Sequence, residues 1–174
     1  MKAFTLWQGD CLELMKDIPD GSVDLTVTSP PYDDLRTYKG NIDQWCFEKF
    51  KQISKELFRV TSAGGVVVWI VSDATIRGSE TGTSFRQALW FMECGFNLHD
   101  TMIWSKPSFT AVGALKTRYA QTFEYMCSSS FDSGGIVCCF LFIGATDGHR
   151  FGEYERYHAF RAGSGGVYAV GNCI

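Results

Sequence analysis

In the first 126 residues, segments with the apolar period of a strand alternate with segments that have the apolar period of a helix. Val23–Thr28 alternates apolar with small polar side chains and is β-branched, which predicts a strand. A short run at Phe4–Trp7 is also typical of a strand. Between these segments a rough helical stripe is formed by Cys11, Leu12, Leu14, Met15 and Ile18. The turn residues Pro19-Asp20-Gly21 end this helix, so the chain opens as strand, helix, strand.

A second, longer helical pattern begins after Asp43 and runs to Val60. Its apolar residues recur at spacings of three and four, which predicts an amphipathic helix. These residues are Trp45, Phe47, Phe50, Ile53, Leu57 and Phe58. We expect the helix to end at Ala63-Gly64-Gly65. The continuous apolar run Val66–Val71 that follows is typical of a central strand covered on both faces.

The same alternation continues after a polar loop at Asp73–Thr81. Ser84–Cys94 is predicted to be a helix that is capped by Gly95 and marked by Phe85, Leu89 and Met92. Phe96–Ser105 alternates again and predicts a strand. This alternation of helices and strands indicates an α/β fold, with a partial Rossmann-like sheet and helices on both of its faces.

The composition changes near Cys127. Residues 127–174 contain half of the glycines, four of the seven cysteines and no lysine. We therefore divide the chain into residues 1–126 and an irregular tail of residues 127–174. Two interpretations of the tail stay open. It is a glycine-rich surface segment with a few short strands, or it departs from a longer ancestral protein.

The net charge and the spacing of the cysteines limit which functional classes are possible. The net charge of -3 gives no general attraction to nucleic acid, so a DNA-facing surface has to be a local patch. No Cys-x-x-Cys pair is present and the three histidines have no ligand spacing with the cysteines, so we expect no metal site. The longest apolar run, Ile136–Ile143, is too short to span a bilayer, and no signal-peptide pattern precedes it. We expect a cytoplasmic protein.

The candidate chemistry lies in Ser29-Pro30-Pro31-Tyr32, directly after the predicted strand Val23–Thr28. Open α/β sheets bind ligands beyond the carboxyl ends of their strands. Proline fixes φ and removes an N–H donor, so this loop is stiff. The Ser29 hydroxyl and the Pro30 carbonyl supply two acceptors, and Tyr32 supplies a ring. That set suits a planar heteroaromatic that carries an exocyclic amino group.

Such an amino group is a poor nucleophile because its lone pair is delocalised into the ring. Accepting hydrogen bonds from both of its hydrogens favours a pyramidal nitrogen that can attack an electrophilic methyl group. Rigid placement then lowers the barrier through orientation and preorganised electrostatics. The plain alternative is a turn that ends a strand, with Tyr32 packed under it.

Three blocks of sequence bear on this choice: residues 9–38, residues 55–75 and residues 85–108. In this order they resemble the amino-group DNA methyltransferases of the beta arrangement, known from phages and restriction–modification systems. The resemblance spans roughly residues 4–126 and implies S-adenosylmethionine as the cofactor. It also implies that the loop Ser29-Pro30-Pro31-Tyr32 is the catalytic motif and holds a cytosine or adenine flipped out of DNA.

The resemblance also suggests cofactor-binding residues. Asp10 matches the acidic position near the adenine of S-adenosylmethionine, although it would equally serve as the N-cap of the helix at Cys11. The family's glycine-rich cofactor loop is matched only by Ala159–Gly171, with its spacing off by one residue. Gly163 and Gly165 are the candidates there.

Several alternatives remain open at this point. Three basic positions either contact DNA phosphates or are simply solvated: Arg36, Lys39 and the Asp73–Thr83 loop with Arg77. The chain would be an active methyltransferase, an inactive fragment that keeps DNA or partner binding, or an enzyme for an RNA or protein amide nitrogen. Cytosine and adenine both stay open as the target base, as do the recognition sequence and the oligomeric state.

Overall fold

The computed structural model describes residues 6–31, 45–106 and 121–131. The elements, in chain order, are α1 Cys11–Met15, β1 Val23–Thr28, α2 Phe47–Val60, β2 Thr61–Val71, β3 Thr75–Ile76, β4 Ser79–Glu80, α3 Thr83–Cys94, β5 Asn97–Ser105 and β6 Phe123–Ser130. The mixed α/β class is confirmed. The strand predicted at Phe4–Trp7 lies partly outside the described residues, and its last two members, Leu6 and Trp7, are exposed and in no strand.

Four strands form the main sheet, in the order β1-β2-β6-β5. β1 and β2 are parallel and are connected through α2, as a βαβ unit requires. β2 and β5 are connected through α3 but are not neighbours, because β6 lies between them and is antiparallel to both. The carboxyl ends of β1, β2 and β5 and the start of β6 therefore share one edge of the sheet.

Both faces of the sheet are apolar, and β2 is buried on each, as predicted. On one face Val67, Trp69 and Val71 join a cluster that includes the buried apolar residues of all three helices, with Phe50 and Phe91 fully buried. On the other face Val66, Val68, Ile70 and Met126 form a second cluster. Within the described part of the chain this second cluster draws on strands alone, so the described helices cover one face.

The junction between α2 and β2 differs from the prediction. The helix ends at Val60 and the strand begins at Thr61, so Ala63-Gly64-Gly65 lie inside β2 rather than after a helix. The register between β1 and β2 shifts between Val23 and Leu25, which marks an irregularity at this point. A Cβ on Gly65 would lie 2.9 Å from the Val23 carbonyl oxygen, so the close approach of the two strands requires glycine.

The helix α3 is confirmed, but the apolar residues that predicted it do not form its buried face. Phe85, Leu89 and Met92 are exposed. The buried positions are Thr83, Ser84, Gln87 and Phe91. Polar side chains are tolerated inside because two of them have partners: Gln87 bonds Trp69, and Ser84 bonds Asp73.

Two further differences concern β-structure. The loop predicted at Asp73–Thr81 contains a short hairpin, β3–β4. The boundary expected after residue 126 is also wrong at its start, because β6 runs from Phe123 to Ser130 and pairs with β2 and β5. Cys127 to Ser130 thus belong to the sheet. The rest of the predicted tail, from residue 132 onward, lies outside the described residues.

Candidate active site

The loop that leaves β1 lies at the shared carboxyl edge of the sheet. Thr28 is level with Trp69 of β2, and Ser29, Pro30 and Pro31 continue beyond it. Pro30 is buried, while Ser29 and Pro31 are half-buried. Burial of Pro30 anchors the loop to the core, and its two prolines are expected to make it stiff.

A narrow apolar cleft anchors this loop to the core. Its walls are Pro30 and Pro31 of the loop, Cys11 and Met15 of α1, Trp45 just before α2, Ile53 and Leu57 of α2, Thr26 and Thr28 of β1, and Trp69 of β2. The cleft therefore holds the prolines of the loop against apolar side chains of α1, α2 and β2.

Asp10 lies at the N-terminus of α1, beside the same cleft. Its Oδ1 accepts a hydrogen bond of 2.9 Å from the Leu12 N–H, so the predicted N-cap is confirmed. Its Oδ2 accepts one of 2.7 Å from Nζ of Lys49 in the first turn of α2. The hydrogen bond from Lys49, followed by that from Leu12, lowers the pKa of Asp10. Its side chain is 43% exposed, so the ionised carboxylate still has lone pairs open to a ligand.

Lys49 was not anticipated from the sequence. Lys49 and Ile53 are four residues apart, so they share one side of α2, and Trp45 lies just before the helix. Trp45 and Ile53 line the cleft, and Lys49 reaches across to Asp10. The ion pair thus ties the start of α1 to the first turn of α2. The only signal in the sequence was a lysine that interrupts an apolar stripe.

A second carboxylate, that of Asp73, lies just after β2 at the same edge. It is 1% exposed. Its Oδ1 accepts from the Ser84 N–H at 3.0 Å and its Oδ2 accepts from the Ser84 hydroxyl. Since the residue before α3 is Gly82, which offers no side-chain cap, Asp73 satisfies this helix end from a distance. We interpret Asp73 as a structural anchor for α3 and the hairpin.

An ion pair with a buried carboxylate also lies at this edge of the sheet. Nζ of Lys106, just after β5, pairs with Oε1 of Glu124 near the start of β6. The Glu124 side chain is 4% exposed, and the ammonium group also lies 5.9 Å from the ring centre of Trp104. A buried carboxylate without such a partner would carry a large desolvation penalty. Sequence reasoning missed this pair because β6 itself was not predicted.

The remaining candidates lie outside the described residues. They are Tyr32, the cofactor-loop candidates Gly163 and Gly165, and the basic residues Arg36 and Lys39. Their roles stay predictions. In the described ranges no group of three or more His, Cys, Asp or Glu side chains could hold a metal ion. None of the helices found there is long and apolar enough to cross a membrane.

Comparison with known proteins identifies a matching family and a related sequence. Residues 23–132 match the family model described as DNA methylase. Over 113 residues the chain is 58% identical to the orphan methyltransferase M.BamHII of Bacillus amyloliquefaciens. That alignment covers 65% of this chain and 40% of the relative.

Solved structures show the same fold. A Thermus thermophilus protein, provisionally assigned as a DNA modification methylase and complexed with S-adenosyl-L-methionine, matches with a TM-score of 0.57 and 25% identity. The match covers 73% of this chain and 53% of that one. The cytosine-N4-specific PvuII DNA methyltransferase matches in fold, with a TM-score of 0.60, 23% identity, and coverage of 71% and 48%. The chain thus spans about half, or less, of the length of these proteins.

Proposed function

Because the chain belongs to the DNA methylase family, we propose that it transfers a methyl group from S-adenosylmethionine to DNA. The acceptor is the exocyclic amino group of cytosine, at N4, or of adenine, at N6. The observation that carries this proposal is the position of Ser29-Pro30-Pro31, held stiffly beyond the carboxyl end of β1 within the matched region. Ligands bind beyond that end in open α/β sheets.

In this proposal the loop binds the target amino group. The Ser29 hydroxyl oxygen and the Pro30 carbonyl accept its two hydrogens, and the Tyr32 ring stacks on the base. Taking the base out of the duplex costs roughly a few kcal/mol. Stacking on one aromatic side chain returns about 1–3 kcal/mol. The anchored prolines keep the two acceptors in place without further ordering when the base arrives.

The cofactor would supply an electrophilic methyl group to the bound amino nitrogen. Among the described residues, Asp10 fits its adenine end, because the carboxylate is ionised, fixed by two donors and still partly exposed. Such a carboxylate can accept from an adenine amino group. Lys49 has a positioning role, since it sets the orientation of the carboxylate and favours its charged form. We assign Gly163 and Gly165 to the cofactor loop.

The alternative function is that of an inactive methyltransferase that keeps DNA or partner binding. A methyltransferase that acts on genomic DNA works in the cytoplasm of a bacterial cell, and we place the protein there.

The test is nucleoside mass spectrometry of mixed genomic DNA incubated with the purified chain and isotope-labelled S-adenosylmethionine. Labelled N4-methylcytosine or N6-methyladenine is the expected product and identifies the target base. Ser29→Ala should lower the rate by roughly 10- to 100-fold, because one acceptor of the amino group is lost. Ser22→Ala is the matched control, since its hydroxyl donates to the Pro19 carbonyl away from the loop. No label, with a longer relative active in parallel, favours the inactive fragment.

A further inference from the structure

The hairpin β3–β4 projects from the carboxyl end of the central strand β2. Its strands pair Thr75 with Glu80 and Ile76 with Ser79, which leaves Arg77 and Gly78 as a two-residue turn. Both turn residues have positive φ, 51° at Arg77 and 83° at Gly78. This is the pattern of a type I′ turn, the tight connection that suits the twist of a hairpin. All residues from Ile76 to Glu80 are exposed.

The base of the hairpin is held firmly. The Thr81 N–H donates to the Ala74 carbonyl at 2.9 Å, which closes the hairpin one step below the Thr75–Glu80 pair. Asp73, directly before it, is buried and bonded to Ser84 of α3. The exposed tip is therefore carried on a rigid base.

The positive φ at the first turn position does not favour arginine. Glycine, asparagine and aspartate adopt positive φ with little or no strain, whereas other side chains rarely do so. Among the described residues, Arg77 gains neither an ion pair nor an aromatic partner in return.

The other basic side chains of the described regions contrast with Arg77. Five of them pair with carboxylates: Lys16, Lys49, Lys51, Arg59 and Lys106. The other two lie over aromatic rings, Lys55 over Trp90 and Arg86 over Phe47. Of the described Lys and Arg side chains, Arg77 is thus the one without a partner among the described residues, and it lies at the exposed tip of the hairpin.

We propose that the tip of the β3–β4 hairpin contacts duplex DNA, with the Arg77 guanidinium paired to a backbone phosphate near the target base. The inference rests on the proposed function. β2 ends beside β1 at the edge that carries Ser29-Pro30-Pro31, so a duplex presented to that loop lies within reach of the neighbouring hairpin. A guanidinium suits phosphate because its N–H groups form paired, charge-assisted hydrogen bonds. Since the whole chain is acidic, DNA contact needs such a local cation.

The test is fluorescence anisotropy of a short labelled duplex of mixed sequence, titrated at several salt concentrations. The variants are Arg77→Gly, Arg77→Lys and Glu80→Gln. Arg77→Gly should weaken binding about tenfold at low salt and reduce the slope of log K against log salt by about one. Arg77→Lys should keep the slope, and Glu80→Gln should strengthen binding because a neighbouring negative charge is removed.

Stability separates folding from binding in this design. Glycine accepts positive φ without strain, so Arg77→Gly should melt at the same temperature as the wild type or higher. Unchanged affinity and slope in Arg77→Gly would overturn the hairpin contact, as would a wild-type chain that binds no duplex. Arg77-dependent DNA binding without methyl transfer would instead leave the hairpin contact standing and overturn the proposed catalysis.

Discussion

The indole N–H of Trp69 donates a hydrogen bond of 2.8 Å to the side-chain carbonyl of Gln87, and both side chains are buried. Trp69 belongs to β2 and Gln87 to α3, so one polar bond joins sheet and helix inside the apolar core. The rings of Phe50 and Phe91 lie 5.5 Å and 5.3 Å from that of Trp69. A buried indole N–H needs an acceptor, which explains why α3 turns a polar residue inward.

Replacing Gln87 with Met keeps the volume but removes the acceptor. We expect a loss of about 1–3 kcal/mol in the free energy of unfolding, because the Trp69 N–H becomes buried and unpaired. Urea unfolding followed by tryptophan fluorescence measures it. Gln52→Met, at an exposed position of α2, is the matched control and should leave the midpoint unchanged. Equal midpoints for both variants would contradict a structural role for this bond.

Lys49 should govern the ionisation of Asp10. In Lys49→Met we expect the Asp10 pKa to rise toward its ordinary value of 3.8, because the strongest cause of its depression is gone. Because the pKa of Asp10 is lower in the folded protein, its ionisation stabilises the fold at pH values above the unfolded-state pKa. This stabilisation is lost as the pH falls through the pKa of Asp10 in the folded protein. Carboxyl-carbon NMR titration gives the pKa directly. Lys51→Met, which removes a lysine paired with Glu48, is the control and should leave the Asp10 titration unchanged.

Two hydroxyls on β6 are unfavourably placed. Ser129 and Ser130 are buried, and their Oγ atoms have no hydrogen-bond partner in the described structure. Ser129→Ala should stabilise the protein by roughly 1 kcal/mol, because an unpaired polar group leaves the interior. Thermal and urea unfolding measure the change, with Ser128→Ala at a half-buried position as the control. A destabilised Ser129→Ala variant would indicate a partner for this hydroxyl in solution.

Cysteine reactivity should follow burial. Cys46 is exposed, whereas Cys127 is buried and burial raises the pKa of its thiol. Since the thiolate is the reactive species, iodoacetamide should modify Cys46 in the native protein and spare Cys127. Peptide mapping by mass spectrometry distinguishes the two sites. In denaturant both should react, and similar native rates would show that β6 opens readily.

The sequence predicted much of the fold because some signals do not depend on distant contacts. Alternation at Val23–Thr28 and the apolar run at Val66–Val71 identified both strands of the parallel pair. The position of Ser29-Pro30-Pro31 followed directly, since a loop after a parallel strand has to lie at its carboxyl end. The N-cap of Asp10 was likewise a local property, and it is confirmed.

The features that were missed depend on partners far along the chain. Gln87 is buried because Trp69 is opposite it, and Lys49 is part of the site because Asp10 is. Neither pairing leaves a pattern in its own segment. β6 was missed because Phe123–Ser130 ends in three serines, which local composition associates with a loop. Its neighbours β2 and β5 impose the extended conformation, so tertiary pairing overrides propensity there.

The insertion of β6 between two earlier strands has a consequence for biosynthesis. A ribosome completes β2 and β5 before it makes the strand that joins them. Until Phe123–Ser130 has left the exit tunnel, one side of β2 and the whole of β5 lack the neighbour that they have in the finished sheet. Unpaired strand edges bind other extended chains. We therefore expect a nascent chain that stalls between Ser105 and Phe123 to expose unpaired strand edges and to bind chaperones.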